Sequence, residues 1–486
     1  MPSLLPRVNR RPQQFACLFI FIVAMVHLII APGVGLGVDE AHYALYALHP
    51  ALSYFDHPPM VGWLQMLVAP LGYDEFTLRL VPVLLFSLIN LQLMGVTGQL
   101  YPSGSRWQGL IAVLLFNSSP ILQLMGWGLV PDLPLIFISL LCLSRVLAIS
   151  RQNLMRDWLL LGGLFGLAGL SKYTAVFLPL GLVLYMFKTQ GRCWLFQAAP
   201  WCSVVIALVI ISPVLIWNYQ HQWVSFEYQI NHTRGDDWQW SSLLAMQAFQ
   251  LLCYSFLVFI GGVIATSYGI KRGSDSDWLI LFFAWPLLLV TSWSAGHGEI
   301  LPNWPALGWV LLMPLIANWL CLQGHTLWVR LLSIGSTLLF APLILFLFLF
   351  LAFKPLATFP FMRPLIQDLE GWEQAAIKAS ELIKPLHKES VLLVDNWSRA
   401  SRIAWYAYPL PVQLTSAYQA SQFDLWFGSP GSAKEGILVL DNEEVPESDV
   451  LYLRGFYCRH LESMSHSLDG MIVNEYQFYH CFKGKR

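Results

Sequence analysis

Charge is scarce in this sequence. Only 12% of its 486 residues are Asp, Glu, Lys or Arg, about half the share of an ordinary soluble domain. That shortage excludes a chain whose whole surface faces water. The net charge is −1, so there is no basic field to draw nucleic acid or another polyanion. The eight cysteines form no C-x-x-C pair and no other metal-ligand spacing. Six of them fall in or beside apolar runs; only Cys458 and Cys481 lie in the polar C-terminal stretch, where a disulfide and two thiols are both open. No internal repeat is visible. The first apolar run, after Arg7, Arg10 and Arg11, is too long for a signal peptide and no A-x-A site follows it. An uncleaved first helix with a cytoplasmic N-terminus is expected.

Apolar residues, in contrast, make up 56% of the chain. A span of the hydrocarbon core takes roughly 20 apolar residues. Candidate spans are 15–36, 77–100, 108–125, 132–149, 157–171, 173–187, 195–217, 242–269, 277–294, 303–321 and 328–352, the fifth and sixth being short. The expected class is an α-helical polytopic membrane protein with about eleven transmembrane helices. Lys and Arg favour cytoplasmic loops. Arg106, Arg151, Arg156, Lys188, Arg192, Lys271, Arg272 and Arg330 fall in loops assigned inside, against Arg79, Lys172 and Arg234 outside. After Phe353 the pattern changes to helical stretches ("IQDLEGWEQAAIKASELIK") alternating with short strands ("SVLLVD", "GILVLD", "DVLYLRGF"). The expected domains are therefore a membrane domain, 1–353, and a C-terminal extracytoplasmic α/β domain, 354–486.

On this topology the polar residues gather on one side. "VDEAHYALYALHPALSYFDHPPM" (38–60) follows the first span. Asp39, Tyr43 and Tyr46 recur at i, i+4 and i+7 and would share a helical face; alternatively Asp39 and Glu40 simply favour the positive end of a helix dipole. Asp56 and His57 precede Pro58-Pro59 and an apolar stretch, "MVGWLQMLVAP", too short to span and read as an interfacial helix. Asp56 is either a helix-start residue or a carboxylate held for a cation. Asp132, in "GLVPDLP", either caps the next span or acts chemically. Lys172 has no acidic neighbour in sequence; it either snorkels or captures a phosphate. His232 and Arg234 lie in a loop rich in Trp and Tyr, while His297, Glu299 and Asn303 flank the tenth span. Together they describe an outward-facing cavity suited to a lipid-linked polar head group.

The segment 38–64 resembles the first external loop of bacterial GT-C membrane glycosyltransferases, the aminoarabinose-transferase-like group related to protein O-mannosyltransferases. "GWGLVPDLPL", "GLAGLSKYTAVFLPLG", "NYQHQWVSFEYQINHTRG" and "HGEILPNWPALGW" resemble later motifs of that group, and the likeness runs over about residues 15–320. It implies a GT-C fold and inverting transfer of a sugar from a polyprenyl-phosphate donor. The acceptor would be an envelope glycolipid such as lipid A, or another envelope molecule, on the periplasmic face of the inner membrane. It implies Asp39 and Asp132 as catalytic carboxylates. Glu40, Tyr43, Tyr54, His57, Lys172, Arg234, His297, Glu299 and Asn303 would be substrate-binding, with Asp56 and His232 holding an optional divalent metal (Zn²⁺, Mn²⁺ or Mg²⁺). His57 stands where aminoarabinose transferases carry a phosphate-contacting lysine. Two rival classes remain: a transporter or flippase of a lipid-linked substrate, which would show midplane binding residues and repeats, and an inactive assembly partner that binds donor without turning it over.

Overall fold

The computed structural model describes residues 11–234, 237–298, 301–353, 363–415, 420–429, 432–441, 450–453, 455–468 and 470–483; of 232–234 only the helical backbone is described. Two compact units emerge. One comprises 1–29, 57–61 and 79–346; the other comprises 30–56, 62–78 and 347–486.

The first unit is helical. Among the described residues of the chain, seven helices are long and apolar enough to cross a membrane, or eight if one bent pair counts as a single span. The expected count of about eleven is therefore not met by length and composition, and the differences have local causes. The expected span 108–125 is broken into Gln108–Asn117 and Pro120–Met125, because Pro120 offers no N–H to continue the first helix. The two segments already expected to be short are helices Met155–Ser171 and Phe177–Gln190, separated by a 3₁₀ turn, Tyr173–Val176. The expected span 242–269 is Trp240–Tyr254 plus Phe256–Arg272, bent by 110°. At the bend Ser255 has φ +70°, outside helical space.

Close packing within this unit is carried by glycine. A Cβ on Gly162 would lie 2.4 Å from the Ser203 carbonyl oxygen, and one on Gly166 would lie 2.5 Å from Ile210 Cβ. The small residues at i and i+4 thus let helix Met155–Ser171 approach helix Ala198–Gln220 backbone to backbone.

In the second unit the loop after the first span is helix Val38–Leu48, as its spacing predicts. The stretch after Pro58-Pro59 forms helix Met60–Met66 and a 3₁₀ turn, Ala69–Leu71. The tail has helices Arg363–Leu369, Trp372–Ile383, Trp397–Tyr406 and Gln422–Phe427. Its strands are β1 (Val391–Val394), β2 (Val412–Leu414), β3 (Glu435–Asp441), β4 (Val450–Leu453), β5 (Phe456–Leu468) and β6 (Met471–Lys483). They form one mixed sheet in the order β2-β1-β3-β6-β5-β4. β1 pairs in parallel with β2 and β3 and is buried along its length, as parallel strands covered on both faces are. β5 and β6 make a long antiparallel hairpin in which Cys458 faces Cys481, and these two are joined by a disulfide. The α/β tail expected from sequence is present, and the hairpin is its largest unanticipated part.

Candidate functional site

In the helical unit, Asp132 opens helix Asp132–Gln152 and is buried, with 2% exposure. Its carboxylate gains from the positive end of the helix dipole. Lys172 ends helix Met155–Ser171 in extended backbone and is itself buried. Its ammonium donates to both Asp132 oxygens at 2.8 Å. Asn303 Nδ2 donates to Asp132 Oδ2 at 3.1 Å. Lys172, which has no acidic neighbour in sequence, thus has a carboxylate partner 40 residues away. Charge-assisted bonds to both oxygens fix the carboxylate in orientation. Two of the three ammonium hydrogens go to Asp132.

Three further buried groups of the helical unit were not singled out from sequence as site residues. The fully buried Tyr254 donates its hydroxyl to the Pro302 carbonyl at 2.6 Å, one residue before Asn303. The Arg79 guanidinium, also fully buried, stacks 3.7 Å from the centroid of Trp127, in the loop leading to Asp132. His27 Nε2 lies 3.0 Å from Gln123 Oε1, and Gln123 in turn donates to Asn117. An Arg near the end of a span and a His within a span are visible in sequence; their partners are not. His297 packs between Trp238 and Trp293, at 5.3 and 4.6 Å between ring centroids. His57 is half-buried before Pro58. Glu299 lies outside the described residues, as do the side chains of His232 and Arg234.

The second unit holds the rest of the first loop. Asp39 is half-buried in the first turn of helix Val38–Leu48, and Glu40 and Tyr43 are buried. Tyr46 is fully buried and donates a short hydrogen bond to Asp56 Oδ1. Burial pushes the Tyr46 hydroxyl well above its ordinary range, and the Asp56 carboxylate adds to the shift, so Tyr46 keeps its proton and remains the donor. Tyr54 stacks on Tyr46 at 3.5 Å. The Tyr54 oxygen accepts from the Ala51 N–H and lies 2.8 Å from the Tyr46 carbonyl and 3.0 Å from that of His49. It therefore ties the loop backbone together. His42 Nδ1 lies 3.0 Å from Ser401 Oγ, and its Nε2 lies 3.5 Å from Asp56 Oδ1.

The tail holds this loop at further points. Tyr406 OH accepts from Leu36 N and donates to Glu75 Oε1. Phe55 N donates to Gln422 Oε1 at 2.7 Å. His49 stacks on Trp426 at 4.7 Å.

Among the described residues no three His, Cys, Asp or Glu side chains come together as a metal site. Asp56 and His42 offer one oxygen and one nitrogen, fewer than the three protein ligands usual at a catalytic zinc. The described residues therefore do not by themselves make up a divalent-ion site.

Three kinds of comparison bear on this arrangement. Residues 56–217 match the family model described as dolichyl-phosphate-mannose-protein mannosyltransferase. The lipid A galacturonosyltransferase RgtD of Rhizobium johnstonii is 25% identical over 295 residues, 58% of this chain and 60% of that protein. The chain thus spans less than two thirds of the length of that relative. Among solved structures, ArnT from Cupriavidus metallidurans bound to undecaprenyl phosphate superposes with a TM-score of 0.63 at 14% identity, covering 96% of this chain and 98% of that one. The oligosaccharyltransferase of Archaeoglobus fulgidus, in complex with Zn and sulfate, gives 0.53 at 12% identity, covering 86% of this chain and 67% of that one. The resemblance read from the loop motifs is borne out: the chain has the ArnT-like GT-C fold of a multi-pass membrane protein, with a C-terminal sheet domain.

Proposed function

We propose that this chain is an inverting glycosyltransferase of the bacterial inner membrane. It would move a sugar from a polyprenyl-phosphate donor to lipid A or a related envelope glycolipid on the periplasmic face. The observation that carries the reading is that the segment matched by the mannosyltransferase model contains the buried Asp132–Lys172 pair. A carboxylate and an ammonium locked together in a membrane protein call for a functional account. The relative named as a lipid A galacturonosyltransferase supports the acceptor class, and the similarity to an ArnT bound to undecaprenyl phosphate supports the donor class.

In the transfer, the acceptor hydroxyl attacks the anomeric carbon. A new C–O bond forms as the bond to the phosphate oxygen breaks, and the electron pair leaves with the polyprenyl phosphate. Asp39 takes the hydroxyl proton as general base. Lys172, through the hydrogen that Asp132 does not use, and Arg234 oppose the charge that builds on the phosphate. Asp132, both of whose oxygens already accept from Lys172 or Asn303, orients rather than abstracts. Where the acceptor is itself a phosphate, no base is required and Asp39 orients the nucleophile. Glu40, Tyr43, His57, His297 and Glu299 remain assigned to substrate binding, Tyr54 to the integrity of the first loop, and Asp56 with His232 to an optional divalent ion. The N-terminus is assigned to the cytoplasm and the tail to the periplasm.

The test is transfer by the purified protein from a panel of polyprenyl-phosphate sugars to lipid A, with Asp39→Asn as control. Transfer from one donor, lost in the control, is expected. Donor binding without turnover would move the reading to an inactive partner, and absence of both would move it to a transporter.

A further inference from the structure

The tail reaches Asp56 through a buried chain of side chains. Ser401 lies in helix Trp397–Tyr406 and is fully buried. Its hydroxyl lies 2.8 Å from the Trp397 carbonyl, four residues back, and donates its single hydrogen there. Toward His42 Nδ1, at 3.0 Å, Ser401 Oγ can therefore only accept. That accounting places a hydrogen on His42 Nδ1, and because the Asp56 carboxylate opposite Nε2 also only accepts, the ring that bridges Ser401 to Asp56 donates from both nitrogens. The ring is held from its sides as well, edge-on to Trp397 at 5.3 Å and to Tyr46 at 5.2 Å between centroids. Nε2 then faces Asp56 Oδ1 at 3.5 Å and the Tyr46 oxygen at 3.4 Å. Tyr46, whose proton is committed to Asp56, closes the chain.

We propose that Ser401 and His42 are positioning residues for the transfer reaction. Ser401 orients His42, and His42 with Tyr46 holds the Asp56 carboxylate in one rotamer. This rests on the reading that the first loop bears the transfer chemistry. Its content is new to that reading: a residue of the C-terminal domain sets the geometry of a loop carboxylate through a stated hydrogen-bond chain. Preorganisation of this kind decides whether a functional group is held tightly enough to work.

The experiment is a double-mutant cycle on the full-length protein with Ser401→Ala, Asp56→Asn and the double variant, read as kcat/KM. Groups that act as one unit give non-additive effects. Ser401→Ala should lower kcat/KM about tenfold in the wild-type background, within the range seen for coupled neighbours, and should change it less than about twofold when Asp56 is already Asn. A residue that only packs the tail would give the same loss in both backgrounds, and that result, or an unchanged Ser401→Ala, overturns the proposal. If Ser401→Ala is not recovered folded, His42→Asn takes its place in the cycle. If the wild type turns over no donor, the transfer reading fails by itself. The same four proteins are then compared by melting temperature: non-additive shifts sustain the chain from Ser401 to Asp56, and additive shifts overturn it.

Discussion

Asp132 and Lys172 exclude water from two opposite charges, 2.8 Å apart with side-chain exposures of 3% and 8%. Desolvation of each ion opposes the pair, so its net worth to stability is small, whereas loss of one partner strands the other. Lys172→Met should therefore destabilise by about 3–5 kcal/mol, and adding Asp132→Asn should restore much of the loss. Thermal unfolding of the two variants checks this; equal melting temperatures would mean that the pair does not act as a unit. His49 makes a second prediction at this scale. Its Nε2 is buried without a hydrogen-bond partner, and burial lowers its pKa below the ordinary 6.5. The unfolded chain then takes up a proton that the folded chain resists, so stability is lost as pH falls below about 6.5. His49→Phe keeps a ring for Trp426 to stack on and removes the titration. Its melting temperature should fall less than that of the wild type between pH 7 and pH 5.

Helix packing makes the third prediction. Gly163 and Gly166 lie in the same helix, yet a Cβ on Gly163 meets only the tip of Ile210, at 4.0 Å, while one on Gly166 meets Ile210 Cβ at 2.5 Å. Gly166→Ala should cost about 1–3 kcal/mol by overpacking. Gly163→Ala should be neutral or gain up to about 1 kcal/mol from helix propensity. Unfolding of the two side by side tests whether close approach, rather than glycine content, holds these helices together. The elements themselves were largely legible, since their apolar periods and turn residues are local: helix Val38–Leu48, the tail helices Arg363–Leu369 and Trp372–Ile383, and β1, β3 and β4 follow from nearby residues, whereas helices Trp397–Tyr406 and Gln422–Phe427 were not expected. Interruptions were harder to read. Ser255 carries no breaker signal, and at its φ of +70° its hydroxyl meets Ser118 Oγ at 3.1 Å, a partner 137 residues away that no local reading supplies. The site was legible as a set of residues and not as a set of pairs. Asp132 with Lys172, and His42 with Ser401, are 40 and 359 residues apart, and no spacing rule joins them. His42 stands inside the loop motif, but its role is invisible there because its partner, Ser401, lies in the tail.

At the scale of the molecule, length and composition give seven or eight helices able to cross a membrane among the described residues, and the two counts have opposite parity. An odd number separates the ends of the chain across the membrane; an even number leaves them together. The eleven segments expected from sequence also give an odd number: the two broken pairs, Gln108–Asn117 with Pro120–Met125 and Trp240–Tyr254 with Phe256–Arg272, then count as one crossing each, and the short helices Met155–Ser171 and Phe177–Gln190 as one crossing each. Two chemical features bear on the choice. Arg106, Arg151, Arg156, Lys188, Arg192, Lys271, Arg272 and Arg330 fall in the loops that the eleven-span count assigns to the cytoplasm. The Cys458–Cys481 bond, spanning 23 residues, persists in an oxidising compartment and not in the cytosol. Both favour a tail outside and an N-terminus inside. In cells, a C-terminal alkaline phosphatase fusion should accordingly be active and a C-terminal green fluorescent protein fusion dark. A thiol-reactive polymer should leave Cys458 and Cys481 unmodified until the protein is denatured and reduced. Closing a loop of that length stabilises a fold by about 3 kcal/mol, so replacing both cysteines with Ala should lower the melting temperature of the tail while leaving the phosphatase fusion active. A fluorescent C-terminal fusion would instead demand an even count and return the tail to the cytoplasm. It would also leave the disulfide without an oxidising environment to maintain it.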